Sequence, residues 1–468
     1  MRKFLSRYVL ALLIPVLALG CVRAPTGEGA NSPAAWRDSL QPPLAADEAL
    51  MLEELSLAEA IHFSALRNPG LQAMRSRWLA AIHVEPQAMT PPDPMLTFGY
   101  QFDNVETRVG PQEWNLGVSQ KIPWFQKLWA RGRLAATKAD IAYLQYETAY
   151  RDLIIEVKDA YYELYYLDQA HLITEKIETL LRNDALLAYA ELESGRTQLN
   201  EAFRAESQAA QLAYDRILLE ELRAAQAERL RSLLNLPPDT EIGPVRTAPL
   251  YEVADDLPAL YQRAEQFASM LRIRGLELQQ AEYQTYLAKL ARVPDVTIGT
   301  NFIQTSSSRA AAAMRPADSG KDPFIGMLAM NLPIWENRNQ ALIREKQALE
   351  EARISQALNE LNKVRQGVAK AFFQVRLTNR LSLLYLETLL PQAENVMRQA
   401  ELNFRNEQAS FANLIETTLA YHNFQLAYHR ALADSGQAIG RLEKVLGATA
   451  ESRADDPPPS SLKEEDQS

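Results

Sequence analysis

Two segments that alternate apolar and polar residues lie 200 positions apart in the chain. Residues 94–100 read PMLTFGY and residues 294–300 read PDVTIGT, so that proline, threonine and glycine recur in register. Alternation with a period of two places successive side chains on opposite faces of a β-strand. Because a repeated pattern indicates a repeated structural unit, the chain is predicted to contain two similar halves.

Each of these segments is predicted to form a β-hairpin with a second alternating segment. In the first half Trp114, Leu116 and Val118 alternate with polar or small residues, and in the second half residues 322–331 alternate less strictly. Each strand would have about nine or ten residues, the length that crosses a bilayer at a tilt. The strand residues predicted to face lipid are Phe98, Tyr100, Phe102, Trp114, Ile298 and Phe302.

The strands are predicted to continue into very long helices. Residues 133–194 contain no glycine or proline, and their apolar residues recur at alternating intervals of three and four, as in helices that pack side by side. A helix of this length would span about 90 Å. Gly195 interrupts the run, and a second helix is predicted over residues 196–236. The two helices would form a hairpin with its tip near Gly195.

The second half is predicted to repeat this hairpin. Helix is predicted from Pro333, with interruptions at Gly367 and Pro391 and a kink near Pro391, because proline lacks the N–H that an inner helical turn needs. The tip would lie around residues 406–410, and the return helix would end near Ser435.

A shorter helix is predicted before the first strand of each half, over residues 55–84 and 257–291. Proline and glycine residues between positions 237 and 244 break the chain between the halves. These patterns predict a first repeat over residues 51–248 and a second repeat over residues 249–447.

The N-terminal residues have the pattern of an export signal. Three basic residues precede an apolar run that is too short to span a membrane, so residues 1–20 are predicted to be a signal peptide. Cys21 is the only cysteine and cannot form an internal disulfide. The segment resembles a bacterial lipoprotein cleavage box, which implies that Cys21 becomes lipidated. The alternative is an ordinary leader that is cut nearby.

Composition sets apart both ends of the mature chain. Residues 21–50 are rich in alanine, proline, glycine and serine, as in a flexible tether. Residues 448–468 form an acidic tail with few apolar residues, which is predicted to be disordered. The 468 residues carry a net charge of −10. No nucleic-acid partner is predicted, because binding one requires a basic surface.

No motif in the chain predicts catalysis or a cofactor. The sequence contains no phosphate-binding glycine loop, nucleophile elbow or nucleotide motif. His422 and His429 lie seven residues apart on the predicted final helix, but no carboxylate or cysteine completes metal-ligand spacing around them. They are predicted to pack against partner helices or to face a lumen. The chain is predicted not to be an enzyme and to hold no metal or cofactor.

The predicted hairpins leave strand edges unpaired. A two-stranded hairpin is barely stable alone in water, and open edges are not tolerated in lipid. Four strands cannot close a membrane barrel, for which about eight is the minimum. Other copies of the chain must therefore complete the sheet, and three copies would supply twelve strands. The alternative is a soluble α+β protein with two exposed hairpins.

Two segments resemble the TolC family of outer-membrane efflux channels. One is LSLAEAI at residues 55–61, followed by ALRNP at residues 65–69, and the other is GVSQKIP at residues 117–123. The similarity covers about residues 50–447. It implies a mainly α fold with a small membrane β portion. Three copies would form a twelve-stranded β-barrel in the outer membrane and a twelve-helix α-barrel in the periplasm.

The resemblance also implies a function. The chain would be a passive exit duct of a tripartite efflux system, docked on a periplasmic adaptor (a membrane fusion protein) and an inner-membrane pump of the RND type. The homotrimer would lie in outer-membrane lipid, extend into the periplasm and be lipid-anchored at its N-terminus. Residues 120–123 are similar to those of cation-efflux members of the family.

The resemblance further assigns roles to residues at the helical tips. In the family, acidic residues after the second tip narrow the periplasmic end, and the matching positions are Asn413 and Glu416. Asn413 departs from the family's aspartate, and Ala409 occupies the place of a family arginine that helps to hold the end closed. The residues implied to contact the adaptor are Gly195, Arg196, Thr197, Gln408 and Ser410.

Two other functions stay open at this point. The same architecture would serve as the exit duct of a type I protein-secretion system. A periplasmic coiled-coil scaffold lipoprotein without a pore would share the long helices, but it would not present aromatic strands of bilayer length.

Overall fold

The computed structural model describes residues 55–103, 105–193, 199–245, 248–250, 253, 255–311, 314–406 and 408–448. Cys21 and the first-tip residues Gly195, Arg196 and Thr197 lie outside the described residues, so that their assignments stay predictions. The fold is mainly α with one small β-sheet, which confirms the predicted fold class.

The secondary structure follows the order that the repeat predicts. The helices are α1 (Leu57–Arg67), α2 (Pro69–Ile82), α3 (Val84–Met89), α4 (Phe125–Glu193), α5 (Leu199–Leu234), α6 (Leu257–Phe267), α7 (Ser269–Leu290), α8 (Glu336–Leu384), α9 (Leu390–Arg405) and α10 (Phe411–Leu446). A π-helical segment, Tyr385–Leu389, joins α8 to α9. The strands are β1 (Met95–Tyr100), β2 (Gln112–Ile122), β3 (Val296–Thr305) and β4 (Phe324–Met330).

The prediction of a single helix over residues 55–84 is wrong, because α1 and α2 form there and a third helix, α3, begins at Val84. Ser56 begins α1 with a capping box: its side chain accepts from the Glu59 N–H, and the Glu59 carboxylate accepts from the Ser56 N–H. Asn68 ends α1, and its side chain caps α2, which begins at Pro69. A residue before proline avoids helical geometry, which explains the break at Asn68.

The helix predicted over residues 257–291 is also divided, into α6 and α7, at Ala268. The C-terminal end of α10 lies against this break. Gly447 adopts a left-handed φ of 71°, and a side chain there would collide with the carbonyl oxygen of Phe267. The conformation and the close approach both require glycine, which ends α10 at this position.

The return helix α10 continues to Leu446, so its predicted end near Ser435 is wrong. Gly436 and Gly440 resemble a helix-ending signal in the sequence, but both lie inside the helix. Gly436 faces the buried ring of Tyr162 on α4. These glycines let two long helices approach closely and do not end the helix.

The predicted interruption of the helix at Gly367 is wrong. Just before Pro391 the chain stays helical but changes from an α-helix to a π-helix and back. Helix α8 runs through Gly367, which packs against Val445 of α10. Before Pro391 the chain forms the π-helical segment. Proline cannot donate a backbone hydrogen bond and its ring crowds the preceding turn, so the wider π turn accommodates it.

The four strands form one antiparallel sheet in the order β1-β2-β3-β4. β2 of the first half pairs with β3 of the second half, from Ile122 opposite Val296 to Gln112 opposite Thr305. The sequence pattern predicts the strands but not this pairing. Among the described residues, β1 and β4 are edge strands that have a neighbour on one side only.

The register of the sheet places apolar residues of all four strands on one face. Phe98 lies opposite Leu116, Leu116 opposite Phe302, and Phe302 opposite Phe324. The second face carries small and polar residues on β1 and β2, but Ile325 and other apolar residues on β4. One face of the sheet is therefore mainly apolar, with Gln120 and Thr300 as polar members.

Helix α4 is the centre of the helical part, and it packs along α5 on one side and α10 on the other. Near the tips, Leu181 of α4 and Phe411 of α10 are fully buried in one apolar cluster with residues of α5 and α9. Further from the tips, Tyr162 and Leu230 belong to a second cluster. Within the described ranges, no helix combines the length and the apolar composition needed to cross a bilayer.

Candidate functional site

The second helical tip joins α9 to α10. The Ser410 side chain accepts a hydrogen bond from the Asn413 N–H at the start of α10. The ring of Phe411 is buried, and its centroid lies 5.2 Å from that of Phe404, which packs the two helices together. Gln408 and Ser410 are exposed on this turn, so both are accessible to another protein.

Asn413 and Glu416 share one exposed face of α10. The opposite face is buried, with Phe411, Leu414 and Ile415 in the tip cluster. The two predicted gate residues therefore lie away from the helical core, as residues that line a pore must. That they narrow a pore stays a prediction.

A polar line begins at Asn413 and runs along α10; it is exposed from Asn413 to Asn423 and turns towards α4 above them, where Gln437 is buried. Positions separated alternately by three and four residues fall on one line of a helix. On this line every residue is polar or alanine, and we call it the α10 polar line. Its members are Asn413, Glu416, Ala420, Asn423, Ala427, Arg430, Asp434, Gln437 and Arg441.

The upper part of the α10 polar line, away from the tip, meets acidic residues of α4. Arg430 donates from Nη1 to both carboxylate oxygens of Glu163, each at 2.9 Å. It also donates from Nε and Nη2 to Asp434 Oδ1, at 2.9 and 2.6 Å. The guanidinium carbon lies 4.9 Å from the centroid of the Tyr166 ring. Arg430 is thus held on three sides.

Two further groups extend this arrangement along the same two helices. Arg441 Nη2 lies 3.9 Å from Asp159 Oδ1, and Gln437 Nε2 donates to Glu163 Oε2 at 3.2 Å. Burial raises the pKa of the Asp159 carboxyl, and the nearby guanidinium of Arg441 lowers it in part.

Sequence reasoning missed this cluster, because Arg430 and Glu163 are 267 residues apart. The only signal in the sequence is a heptad: Glu416, Asn423 and Arg430 are spaced by seven, so a prediction for Glu416 extends to Arg430 on the same face.

His422 and His429, which the sequence predicts to pack against helices or to face a lumen, lie at the interface between α10 and its neighbouring helices. His422 is buried, with 3% of its surface exposed, and His429 Nδ1 lies 2.8 Å from the Tyr165 hydroxyl. Burial lowers the pKa of both histidines and raises the pKa of Tyr165 to about 12. Among the described residues, no group of three His, Cys, Asp or Glu side chains could hold a metal ion.

Aromatic side chains form a row across the first three strands. The ring centroids of Phe98 and Trp114 lie 6.3 Å apart, and those of Trp114 and Phe302 lie 5.5 Å apart. Phe98, Tyr100 and Ile298 are exposed on the same apolar face of the sheet. The structure brings these predicted residues together, and their contact with lipid stays a prediction.

Phe102 does not belong to this row in the way that the alternation predicts. β1 ends at Tyr100, and Phe102 lies in the bend that follows, 91% exposed. Its ring contacts that of Tyr100 edge-on, with 5.3 Å between centroids. The last backbone contact with β2 is the hydrogen bond from the Gln101 N–H to the Glu113 carbonyl, at 2.9 Å.

No protein-family model matches the chain, and no curated protein matches it. Several solved structures share its fold. OprN, described as an outer-membrane channel, aligns with a TM-score of 0.71 and 14% identity, over 86% of this chain and 92% of its own. VceC, an outer-membrane protein of Vibrio cholerae, aligns with a TM-score of 0.70 and 17% identity, over 87% of this chain and 100% of its own.

CusC, whose structures were solved in a study of transmembrane channel formation, aligns with a TM-score of 0.71 and 12% identity, over 84% of this chain and 92% of its own. This chain has the outer-membrane channel fold. Because nearly the full length is aligned, the channel fold includes both the long helices and the four-stranded sheet. The predicted mainly α architecture is thereby confirmed.

Proposed function

We propose that the chain is the outer-membrane exit duct of a tripartite efflux system. It would passively export solutes that an inner-membrane pump and a periplasmic adaptor deliver. The observation that carries this proposal is the incomplete sheet: four strands with one apolar face and an edge strand at each border. A sheet of this kind cannot lie in lipid until other strands satisfy both edges.

Three copies of the chain complete the sheet in the simplest way. They supply twelve strands, within the range of closed membrane barrels, and β1 of one copy would pair with β4 of the next. The apolar face would then contact lipid, with the aromatic row of Phe98, Trp114 and Phe302 on the outside. The long helices would continue below the barrel as an α-barrel of twelve helices.

The exposed faces of the helices support the same assembly. Phe203, Tyr214 and Ile217 of α5 are spaced for one line of the helix and are 64%, 63% and 54% exposed. An apolar line of this kind is suited to packing against the next copy. The α10 polar line is suited instead to a water-filled lumen.

The remaining assignments come from the resemblance to the channel family. Asn413 and Glu416 would narrow the periplasmic end, and the tips at residues 194–200 and 406–413 would contact the adaptor. The pump would be of the RND type. Cys21 would carry the lipid anchor in the outer membrane, which adds to the attachment that the barrel provides.

The proposal is tested by oligomeric state and conductance together. The full chain is purified from membranes in detergent, its mass is measured by light scattering, and it is then inserted into planar bilayers. A trimer with stepwise conductance is expected. A monomer with intact sheet, or a trimer without conductance that alkaline carbonate releases from membranes, would instead favour the scaffold lipoprotein.

The identity of the adaptor separates efflux from type I secretion. A photo-crosslinking residue placed at Arg196 or Gln408 is expected to capture the periplasmic adaptor in cells, and the pump encoded with that adaptor defines the system. Capture at neither position would contradict docking at the tips. Capture of an adaptor that serves an ABC-type exporter would favour the secretion function.

A further inference from the structure

The charged residues between α4 and α10 form one compact group, which we call the α4–α10 charge cluster. It contains four carboxylates and two guanidinium groups, which leaves two formal negative charges in each copy. Its members are Glu156, Asp159, Glu163, Arg430, Asp434 and Arg441. Most are partly exposed; the Arg441 side chain is 55% exposed and that of Asp434 39%.

Most charges next to the cluster balance each other. Lys158 pairs with Glu443, and Lys444 Nζ lies 2.8 Å from Asp152 Oδ1, so these two pairs contribute no net charge. Arg229 of α5 is close enough to Asp159 to lower the pKa of its carboxyl, and it adds one positive charge. One net negative charge per copy is left in the region, and it sets the sign of the local field.

The cluster lies on the same face of α10 as the predicted gate. Glu416 and Arg430 are both on the α10 polar line, four helical turns apart by their heptad spacing. The line contains no large apolar side chain, whereas the exposed line of α5 contains Phe203 and Tyr214. Gln437 on the polar line is buried against α4, but the side chains of Arg430, Asp434 and Arg441 are 33%, 39% and 55% exposed. Of the two lines, only the polar one presents charged groups that are suited to permanent contact with water.

The geometry of the cluster keeps its carboxylates in place. Arg430 Nη1 donates to both oxygens of Glu163, Nε and Nη2 donate to Asp434 Oδ1, and the Tyr166 ring covers the guanidinium. The planar guanidinium is pre-organised for several hydrogen bonds at once, so it holds both carboxylates in one arrangement. Their negative charges therefore stay at a fixed place on the surface of α4 and α10.

We infer that the α4–α10 charge cluster is a second charge filter inside the duct, separate from the tip residue Glu416, that favours cationic over anionic solutes. This inference rests on the proposed function, because it requires the α10 polar line to face a lumen. In a trimer the cluster would repeat three times around the axis, and a ring of fixed charge selects ions by sign.

The inference is tested by ion selectivity in planar bilayers with a potassium chloride gradient. Glu163→Gln and Asp434→Asn each remove one negative charge per copy, so the permeability ratio of K⁺ to Cl⁻ is expected to fall, by roughly twofold at physiological salt. Arg430→Gln removes a positive charge and is expected to raise the ratio. Arg430→Lys keeps the charge and is expected to stay near wild type.

The matched control is Glu228→Gln on α5. Gln226 donates to the Ala160 carbonyl at 3.4 Å, and α5 runs antiparallel to α4, so Glu228 lies near the level of the cluster residue Asp159 but is exposed on another helix. Its substitution makes the same change of charge and is expected to leave the ratio unchanged. The shift caused by Glu163→Gln is expected to persist in a Glu416→Gln background, because the two sites are far apart.

The opposite signs expected for Glu163→Gln and Arg430→Gln cannot come from partial unfolding, which would move both variants in one direction. If wild type conducts and both variants keep its selectivity, the second filter is overturned but the proposed duct is not. The same conclusion holds if both variants, and Glu228→Gln with them, change the permeability ratio in one direction. A wild-type chain that forms no conducting pore overturns the proposed function and this inference together.

Discussion

Gly436 of α10 lies directly against the ring of Tyr162 on α4, so that a β-carbon at position 436 would stand 2.4 Å from Tyr162 Cζ. Tyr162 has none of its surface exposed and is among the fully buried side chains of largest volume. The contact between these two residues sets how closely the two hairpins of the repeat approach each other.

Gly436→Ala is therefore expected to destabilise the chain. Alanine favours helix by about 1 kcal/mol over glycine, but overpacking against a buried ring costs about 1–3 kcal/mol and moves α10 away from α4. Gly275→Ala on α7 is the control, because no atom lies within 4 Å of the added carbon. Thermal unfolding followed by circular dichroism should show a lower Tm for the first variant only. Equal Tm values would contradict the packing argument.

A nearly buried ion pair is expected to hold the start of β3 against the start of α4. Lys127 Nζ donates to Asp295 Oδ1 at 2.7 Å and to the Val293 carbonyl at 2.6 Å, and both charged side chains are nearly buried. Lys127→Ala would leave the carboxylate without its main partner and is expected to cost about 2–4 kcal/mol. Lys121→Ala removes an exposed partner 3.4 Å from the same carboxylate and should cost under about 1 kcal/mol.

The pair of Lys127 and Asp295 also determines whether its contribution to stability rises or falls with pH. Burial alone would raise the pKa of Asp295, but the hydrogen bond and charge of Lys127 outweigh it and lower the pKa. The pair's stabilisation is thus complete above the ordinary carboxyl pKa and is lost as the pH falls through the lowered value. Chemical unfolding midpoints of wild type and Lys127→Ala should converge only in strong acid. A constant difference down to that range would refute this pH dependence.

Asp184, near the tips, is expected to have the opposite pH dependence. Burial and the neighbouring Glu401 carboxylate raise the pKa of Asp184 to about 6. Because the folded pKa exceeds the unfolded one, stability is lost as the pH rises from about 4 through 6. Asp184→Asn is expected to stabilise the chain at pH 8 by about 1–2 kcal/mol and to have no effect near pH 4.

Thermal unfolding between pH 4 and pH 8 measures how the stability of wild type and Asp184→Asn depends on pH, with Glu394→Gln as the control. Glu394 lies on α9, where it pairs with Arg398 at the surface, and its replacement should leave the pH profile unchanged. Parallel profiles for wild type and Asp184→Asn would rule out titration of Asp184 as their cause.

Glu416 is expected to set ion selectivity at the periplasmic end. It is exposed on the α10 polar line, so Glu416→Gln should raise the conductance of anions relative to cations by roughly twofold at physiological salt. Asn413→Asp adds a charge on the same face and should shift the ratio the other way. Planar-bilayer reversal potentials measure both. Unchanged selectivity in both variants would remove this face of α10 from the gate.

Much of the fold follows from local patterns. The alternation in residues 94–100 and 294–300 predicts strands, and the glycine- and proline-free runs predict the long helices α4 and α5. The positions of the tips follow as well, because glycine and polar residues interrupt the apolar spacing there. The errors occur where one residue type has two uses: Gly367, Gly436 and Gly440 appear to break helices but serve close packing inside them.

The candidate site also has one part that the sequence predicts and one part that it does not. Asn413 and Glu416 can be placed on one helix face from their spacing alone, and the exposed face agrees with that placement. The bond between Arg430 and Glu163 could not be predicted, because it depends on the stagger of α10 against α4. Likewise, the alternation of apolar residues continues to Phe102 and does not show that β1 ends at Tyr100.

The sequence by itself determined the period of each element, and hence which face of each strand or helix is apolar, because adjacent side chains on one element have fixed relative directions. The tertiary structure alone decided which elements meet: the pairing of β2 with β3, the packing of Tyr162 against Gly436, and the hydrogen bonds between Arg430 and Glu163. These contacts join residues from opposite halves or opposite helices, and their geometry depends on the packing of whole elements.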